Sequence, residues 1–380
     1  MEYRFRVRAG QPALLIAGIL AFAPVLGASG GVLERGIEGE VPLPAGSSLL
    51  VENLLGSIQV VGGGKAGAAR IEGRIIADAA SEDEAKAALE SVLLQIDGTS
   101  VHVAFPLDRA TAFYPPRESE AARRLVGGWI DALAALVSET RVTYDGQEVR
   151  IGKTRGSLGL AVHLVVTIPD GCSAAFDLGA GSIKISRARG TLRASLGAGR
   201  LLVEQAYGSL DLGTERADVT LRSFKGDDLR VETTSGNASL IDADAKTVRI
   251  STGSGGCEAT SLTAGSITAS TGEGDLFLGG LEAERYELST VSGNLTMITN
   301  LERSKGGLLK SVSGDVLVRL GRNIPFRMEV ATSSGAIRAE GESLKTTSAS
   351  KNAATVERGT GGGEIRVETG SGSVRVAPRT

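Results

Sequence analysis

Gly179-Ala180-Gly181-Ser182-Ile183-Lys184-Ile185 places apolar residues two and four positions after a glycine, and the same arrangement recurs through the C-terminal half of the chain. Gly199 is followed by Leu201 and Val203, Gly236 by Ala238 and Leu240, Gly255 by Cys257 and Ala259, and Gly274 by Leu276 and Leu278. Gly293, Gly314 and Gly335 continue the series with Leu295 and Met297, Val316 and Val318, and Ile337 and Ala339, while Ala217 with Val219 and Leu221 fills the one gap. The spacing is 18 to 21 residues from Gly181 through Gly335. Alternation behind a fixed corner is the period of a strand with one buried face, and self-similarity at a fixed period marks a repeat architecture.

The residues before each corner carry a second signature, apolar-x-apolar-x-Thr-x-x-Gly, as in Val248-Arg249-Ile250-Ser251-Thr252 before Gly255 and Tyr286-Glu287-Leu288-Ser289-Thr290 before Gly293. Each repeat therefore holds two strands. Three positions before the corners stand Thr214, Thr233, Thr252, Thr271, Thr290, Ser311, Thr332 and Thr369. In register they stack as a hydroxyl ladder able to bond a neighbour or the backbone. The glycines mark places where positive φ or close approach excludes a Cβ. One repeat cannot bury its apolar face alone, but stacked repeats bury a continuous Val/Ile/Leu column. A β-sandwich would give turns every 8 to 12 residues without repeating residue classes at fixed offsets. The expected fold is all-β: a parallel β-solenoid with two strands per rung of about 19 residues, plus a small α/β N-terminal capping region.

The pattern appears once upstream, where Leu49, Val51 and Asn53 lead into Gly56 with Ile58 and Val60 beyond it. Between this first rung and Gly181 the sequence changes character. A capping box at Ser81-Glu82-Asp83-Glu84 opens a helix over 81–96, and Leu125, Trp129, Leu133 and Leu136 share one face of a second helix over 118–137. Residues 47–170 thus form the first rung and cap, and 171–380 the solenoid repeats. After a stretch at 343–354 that reads as a longer loop, Gly363 and Gly372 resume the pattern with Ile365, Val367, Val374 and Val376. Open solenoid ends are unpaired sheet edges, so a cap is needed and end-to-end self-association is available.

Composition bounds the compartment. Glycine numbers 52 in 380 residues and aromatics make up only 4%, so the core must be thin layers of aliphatic side chains. Arg4, Arg6 and Arg8 precede an uncharged run over 13–26 that ends in small residues, the form of a signal peptide over residues 1–28. The run is shorter than a spanning helix and contains Pro24, so no stable membrane span is expected after cleavage. The formal charge is −3, and losing Glu2 and the three arginines removes +2, leaving −5. That gives no electrostatic support for a nucleic-acid partner.

The run Val51-Glu52-Asn53-Leu54-Leu55-Gly56-Ser57-Ile58-Gln59-Val60, the entry Val165-Val166-Thr167-Ile168-Pro169 and the Thr-x-Ser-Gly corners resemble the bacterial "putative adhesin" β-strand-repeat family, whose domain is otherwise of unknown function. The resemblance covers about residues 47 to 378. It implies the fold and an extracytoplasmic setting, whether periplasmic, outer-envelope associated or secreted. It supplies no catalytic residues. The segment around Trp129 departs from the plain pattern, so partner choice does not transfer.

No catalytic, cofactor or metal signature emerges. His102 and His163, the two histidines, sit singly in strand-like alternation. No Gly-rich phosphate loop follows a strand and opens a helix, and no nucleophile elbow stands at a strand-to-helix turn. Asp275, Asp315 and Glu258 offer carboxylates without the aromatic platform of a sugar cleft. Asp218, Asn237, Asp275, Asn294 and Asp315 follow the corner position and could hold calcium, but Asn and Asp suit turns on their own account. Cys172 and Cys257 fall about four rungs, roughly 19 Å, apart and are expected as free thiols, both alkylated without reduction. The leading expectation is a non-enzymatic envelope protein presenting a repetitive face to a protein or glycan of the cell envelope. A carbohydrate-active β-helix enzyme and an envelope-stress sensor are the alternatives.

Overall fold

The computed structural model describes residues 32–116, 139–154, 156–321, 324–341, 344–360 and 362–379. The expected signal peptide and the expected helix over 118–137 lie outside them. The chain divides into two compact units, Met1–Ala206 and Tyr207–Thr380.

The first unit contains β1 (Val32–Pro42), β2 (Ser48–Gly64), β3 (Ala68–Asp78), α1 (Glu82–Ser91), β4 (Leu93–Asp97), β5 (Ser100–Ala104), β6 (Ala112–Tyr114), β7 (Thr140–Tyr144), β8 (Gln147–Ile151), β9 (Leu158–Pro169), β10 (Cys172–Ser186) and the start of β11 (Arg189–Thr233). β1 and β9 each pair antiparallel with β3. β9, β2, β10 and β11 then lie side by side in parallel. Gly56 falls opposite Gly181, and Gly181 opposite Gly199, so the upstream rung docks directly on the regular ones across the intervening elements. The helix expected to reach Ile96 ends at Ser91. Its N-cap is as read, with Glu84 N donating to Ser81 Oγ at 3.3 Å. Beyond it, Leu93–Asp97 forms a hairpin with β5, turned at Gly98 with φ +58°, and strand pairing overrides the end of the helical pattern.

The second unit continues with β12 (Ala238–Thr252), β13 (Cys257–Thr271), β14 (Leu276–Thr290), β15 (Leu295–Thr299), β16 (Gly306–Ser311), β17 (Val316–Leu320), β18 (Phe326–Thr332), β19 (Ile337–Ala339), β20 (Lys345–Ala349), β21 (Ala353–Arg358), β22 (Gly363–Thr369) and β23 (Val374–Pro378). The architecture is a parallel β-solenoid. Val219, Ala238, Cys257 and Leu276 face one another in consecutive rungs and are all buried. Each buried Val or Leu side chain contributes about 1.5–3 kcal/mol to such a column.

Pairing between rungs pauses at Asp242 and Lys246, so the two strands of a rung enclose a short third segment between two bends. The first bend has a recurring geometry. Ser223, Asp242, Ser261, Gly280 and Leu301 all stand in the left-handed region, with φ of +61°, +58°, +56°, +68° and +59°. Arg187 and Gln205 do the same in the first unit, at +52° and +60°.

Rungs do not stack in chain order at the end of the second unit. β22 lies between β16 and β18, and β23 between β17 and β19, all parallel. The later rung thus occupies a slot between two earlier ones. The stretch expected as a loop at 343–354 instead supplies β20 and part of β21, an antiparallel hairpin whose second strand pairs with β18. That pairing occupies the β18 edge left over once β22 has taken the other.

Candidate functional site

The recurring residues are consumed by the fold. A Cβ on Gly255 would run into the carbonyl oxygen of Gly236, and one on Gly372 into that of Gly314. Gly274, Gly293, Gly314 and Gly335 stack in the same way, whereas Gly56, Gly181 and Gly199 add positive φ values of +133°, +135° and +132°. The hydroxyl ladder is buried and clamps these corners. Gly236 N donates to Thr233 Oγ1 and Gly335 N to Thr332 Oγ1, both at 2.9 Å. Thr271 Oγ1 donates to Gly274 O at 2.9 Å and Thr290 Oγ1 to the same carbonyl at 3.3 Å.

The Asn/Asp positions are engaged too. Asn237 N donates to Asp218 Oδ1 at 2.9 Å, Asn294 N to Asp275 Oδ1 at 2.7 Å, and Asp315 N to Asn294 Oδ1 at 3.1 Å. One oxygen of each side chain satisfies the backbone of the next rung. Among the described residues no group of three or more His, Cys, Asp or Glu could hold a metal ion.

What varies from rung to rung is the outward row on the strand after each corner: Arg222, Ile241, Thr260, Gly279, Ile298 and Arg319 face one another in sequence. Gly279 removes the side chain from the middle of this row. The result is a depression of about 320 Å³ lined by Thr260, Ser261, Phe277, Gly279, Gly280, Ile298, Arg319 and Arg379. The Phe277 ring leans over the floor, its Cε1 3.0 Å from where a Gly279 Cβ would stand. Arg379 is held at the rim by its N–H to Leu320 O, 2.8 Å, and by Nη1 to Asn300 Oδ1, 3.4 Å. Neither Arg319 nor Arg379 has a carboxylate partner among the described residues. Elsewhere in the second unit Lys246 pairs with Asp227 at 2.7 Å, Lys305 with Glu284 at 2.6 Å and Arg375 with Glu340 at 2.6 Å. Sequence reasoning did not single out this place. Its signal was Gly279-Gly280, two glycines off the corner offset in an otherwise filled row.

The first unit carries a second polar row, His102, Glu52, Asp177 and Ser195, on four adjacent strands. His102 Nδ1 lies 3.4 Å from Glu52 and Nε2 3.2 Å from Asp145, with the ring stacked on Tyr144 at 5.3 Å. Burial alone disfavours its charge, but the bonds and charges of Asp145 and Glu52 override burial and raise its pKa to about 9. Burial also raises the Asp177 carboxyl, against a hydrogen bond from Ser195. His163 is fully buried, bonded through Nδ1 to Ser57 Oγ at 2.9 Å, and burial pushes its pKa down to about 4. Both cysteines are free; Cys257 is a buried core residue whose thiol burial pushes up to about 12.

Comparison with known proteins gives one family. The family model described as Toastrack DUF4097 matches residues 156–377. No curated protein matches the chain. Among solved structures, the chain is similar to a "putative lipid binding protein" from Parabacteroides distasonis, 11% identical over 90% of this chain and 96% of that one, TM-score 0.39. It is also similar to a "putative adhesin" from Bacteroides fragilis, 10% identical over 90% and 97%, TM-score 0.34. A "putative cell adhesion protein" from Clostridium sporogenes is 10% identical over 90% and 100%, TM-score 0.22.

Proposed function

The chain belongs to the Toastrack DUF4097 family, and from that premise we propose that it works outside the cytoplasm as a non-enzymatic binding protein of the adhesin type. It holds an envelope protein or glycan on the outward face of its rungs. The observation that supports this most is the division of labour within a rung. Gly, Thr and Asx positions give their polar atoms to neighbouring backbone, while the outward rows differ from rung to rung and include a depression beside two arginines that have no carboxylate partner among the described residues. A scaffold with fixed corners and free outward positions suits recognition. Fractionation of cells expressing the chain, followed by retention of the purified protein on isolated envelope material, tests the reading. Extracytoplasmic recovery with retention is expected; cytoplasmic recovery or no retention overturns it.

A second reading, a carbohydrate-active enzyme, is favoured by one observation. Glu52 and Asp177 lie opposite each other on adjacent strands, and burial pushes the Asp177 carboxyl toward its protonated form, as a general acid requires. Release of reducing ends from envelope oligosaccharide, abolished by Asp177→Asn, would establish it in place of the first.

A further inference from the structure

We propose that the depression around Gly279 is a subsite for a carboxylate-bearing sugar ring of an acidic glycan. The inference rests on the binding-protein reading and names its ligand class.

Arg319 supplies the charge. It stands at the end of the row Thr260, Gly279, Ile298, Arg319, half-buried and without a carboxylate partner among the described residues. A guanidinium presents a planar fork that matches a carboxylate in two parallel hydrogen bonds, and Arg379 adds a second cation at the rim. An anion is therefore the complementary charge.

The floor argues for a ring rather than a chain. Phe277, whose ring covers Gly279, and Ile298 supply apolar surface, and the Thr260 Cγ2 methyl extends it, 3.6 Å from where a Gly279 Cβ would stand. A sugar ring offers a C–H face to such an aromatic contact, and a ring carboxylate reaches the arginines beside it. An extended peptide would instead seek a free strand edge, and none is available beside the floor. β13 is paired with β12 and β14, β14 with β13 and β15, and β15 with β14 and β17. An acidic peptide could engage only through its side chains.

The test uses the full chain and three probes: an oligosaccharide containing glucuronate, a neutral glucose oligomer of equal length, and oligoglutamate, each titrated by calorimetry at low and moderate salt. The glucuronate oligomer is expected to bind about tenfold or more tightly than the neutral one, and more weakly as salt rises. Arg319→Gln should bring the two sugars level, and Phe277→Ser should weaken both, with unfolding transitions unchanged because both side chains point outward. Equal affinity for the two sugars, full affinity in Arg319→Gln, or tighter binding of oligoglutamate overturns the proposal, the last in favour of an acidic peptide. If none of the probes binds while the chain is still retained on envelope material, the ligand assignment fails and the binding-protein reading stands. If retention fails as well, both fall.

Discussion

The Thr252 hydroxyl donates to the carbonyl of Gly255 across the same corner, at 2.6 Å. Both partners are shielded from water, so the bond is exchanged for nothing when it is lost. Thr252→Val keeps the volume and removes the donor, and should lower the unfolding free energy by about 1–2 kcal/mol in urea titrations. Thr252→Ser keeps the donor and should recover most of it. Equal loss in the two variants would show that packing, not the hydroxyl, matters at this corner.

Glycines at the two kinds of corner should respond differently. A methyl at Gly255 meets the Gly236 backbone, which cannot yield without moving a neighbouring rung, so Gly255→Ala should cost about 3 kcal/mol or more. At Gly280 the nearest atom to an added Cβ is 3.5 Å away and only the φ of +68° resists, so Gly280→Ala should cost about 1 kcal/mol. Ser223→Gly relieves the same conformation and should stabilise by up to about 1 kcal/mol. Denaturation midpoints of the three variants rank them directly.

The two histidines give opposite pH dependences. His163 has a folded pKa depressed to about 4, so its contribution is complete above about pH 6.5 and is lost as pH falls through about 4, some 3 kcal/mol in all. His102 has a folded pKa raised to about 9, so its contribution is complete below about pH 6.5 and is lost as pH rises through about 9. Partial exposure limits that second amplitude to about 1–2 kcal/mol. Stability measured against pH should lose its acid slope in His163→Gln and its alkaline slope in His102→Gln. Unchanged slopes in these variants would assign the dependence to other groups.

Deleting residues 359–380 removes the rung that fills the slot between β16–β17 and β18–β19. Gly335 then loses Gly372, its stacking neighbour. Hydrogen exchange should show β19 unprotected while β12 to β14 remain protected, since each rung draws stability from its immediate neighbours, and β18 should keep only the protection that its pairing with β21 gives. Continued protection of β19 would mean that it can pair with β17 directly.

The first corner was legible in the sequence because geometry leaves it almost no choice: Gly255 faces a backbone oxygen and Thr252 faces a backbone carbonyl. The second corner was not, because the left-handed conformation is met there by Arg187, Gln205, Ser223, Asp242, Ser261 and Leu301 alike. Its cost is small enough for each to bear, so no residue class recurs. The placement of β22 and β23 was equally hidden, since alternation around Ile365, Val367, Val374 and Val376 fixes which side faces inward but not which rung lies next door. The hairpin over β20 and β21 read as a loop because its short strands follow no corner glycine. As for the candidate site, its depression arises from the missing side chain of Gly279, whose meaning appears only when Thr260 and Ile298 are seen on either side.

The slot filled by β22 and β23 also orders events in time. β18 and β19 precede in the chain the rung that separates them from β16 and β17, so a chain folding from its N-terminus places that rung last. The hairpin of β20 and β21 is made in that interval and already pairs with the far edge of β18. It can act as a placeholder, keeping one side of that strand occupied until the last rung arrives. A chain halted before residue 363 would therefore carry an open seam in its interior, a local sign of incompleteness that folding machinery or a protease could recognise.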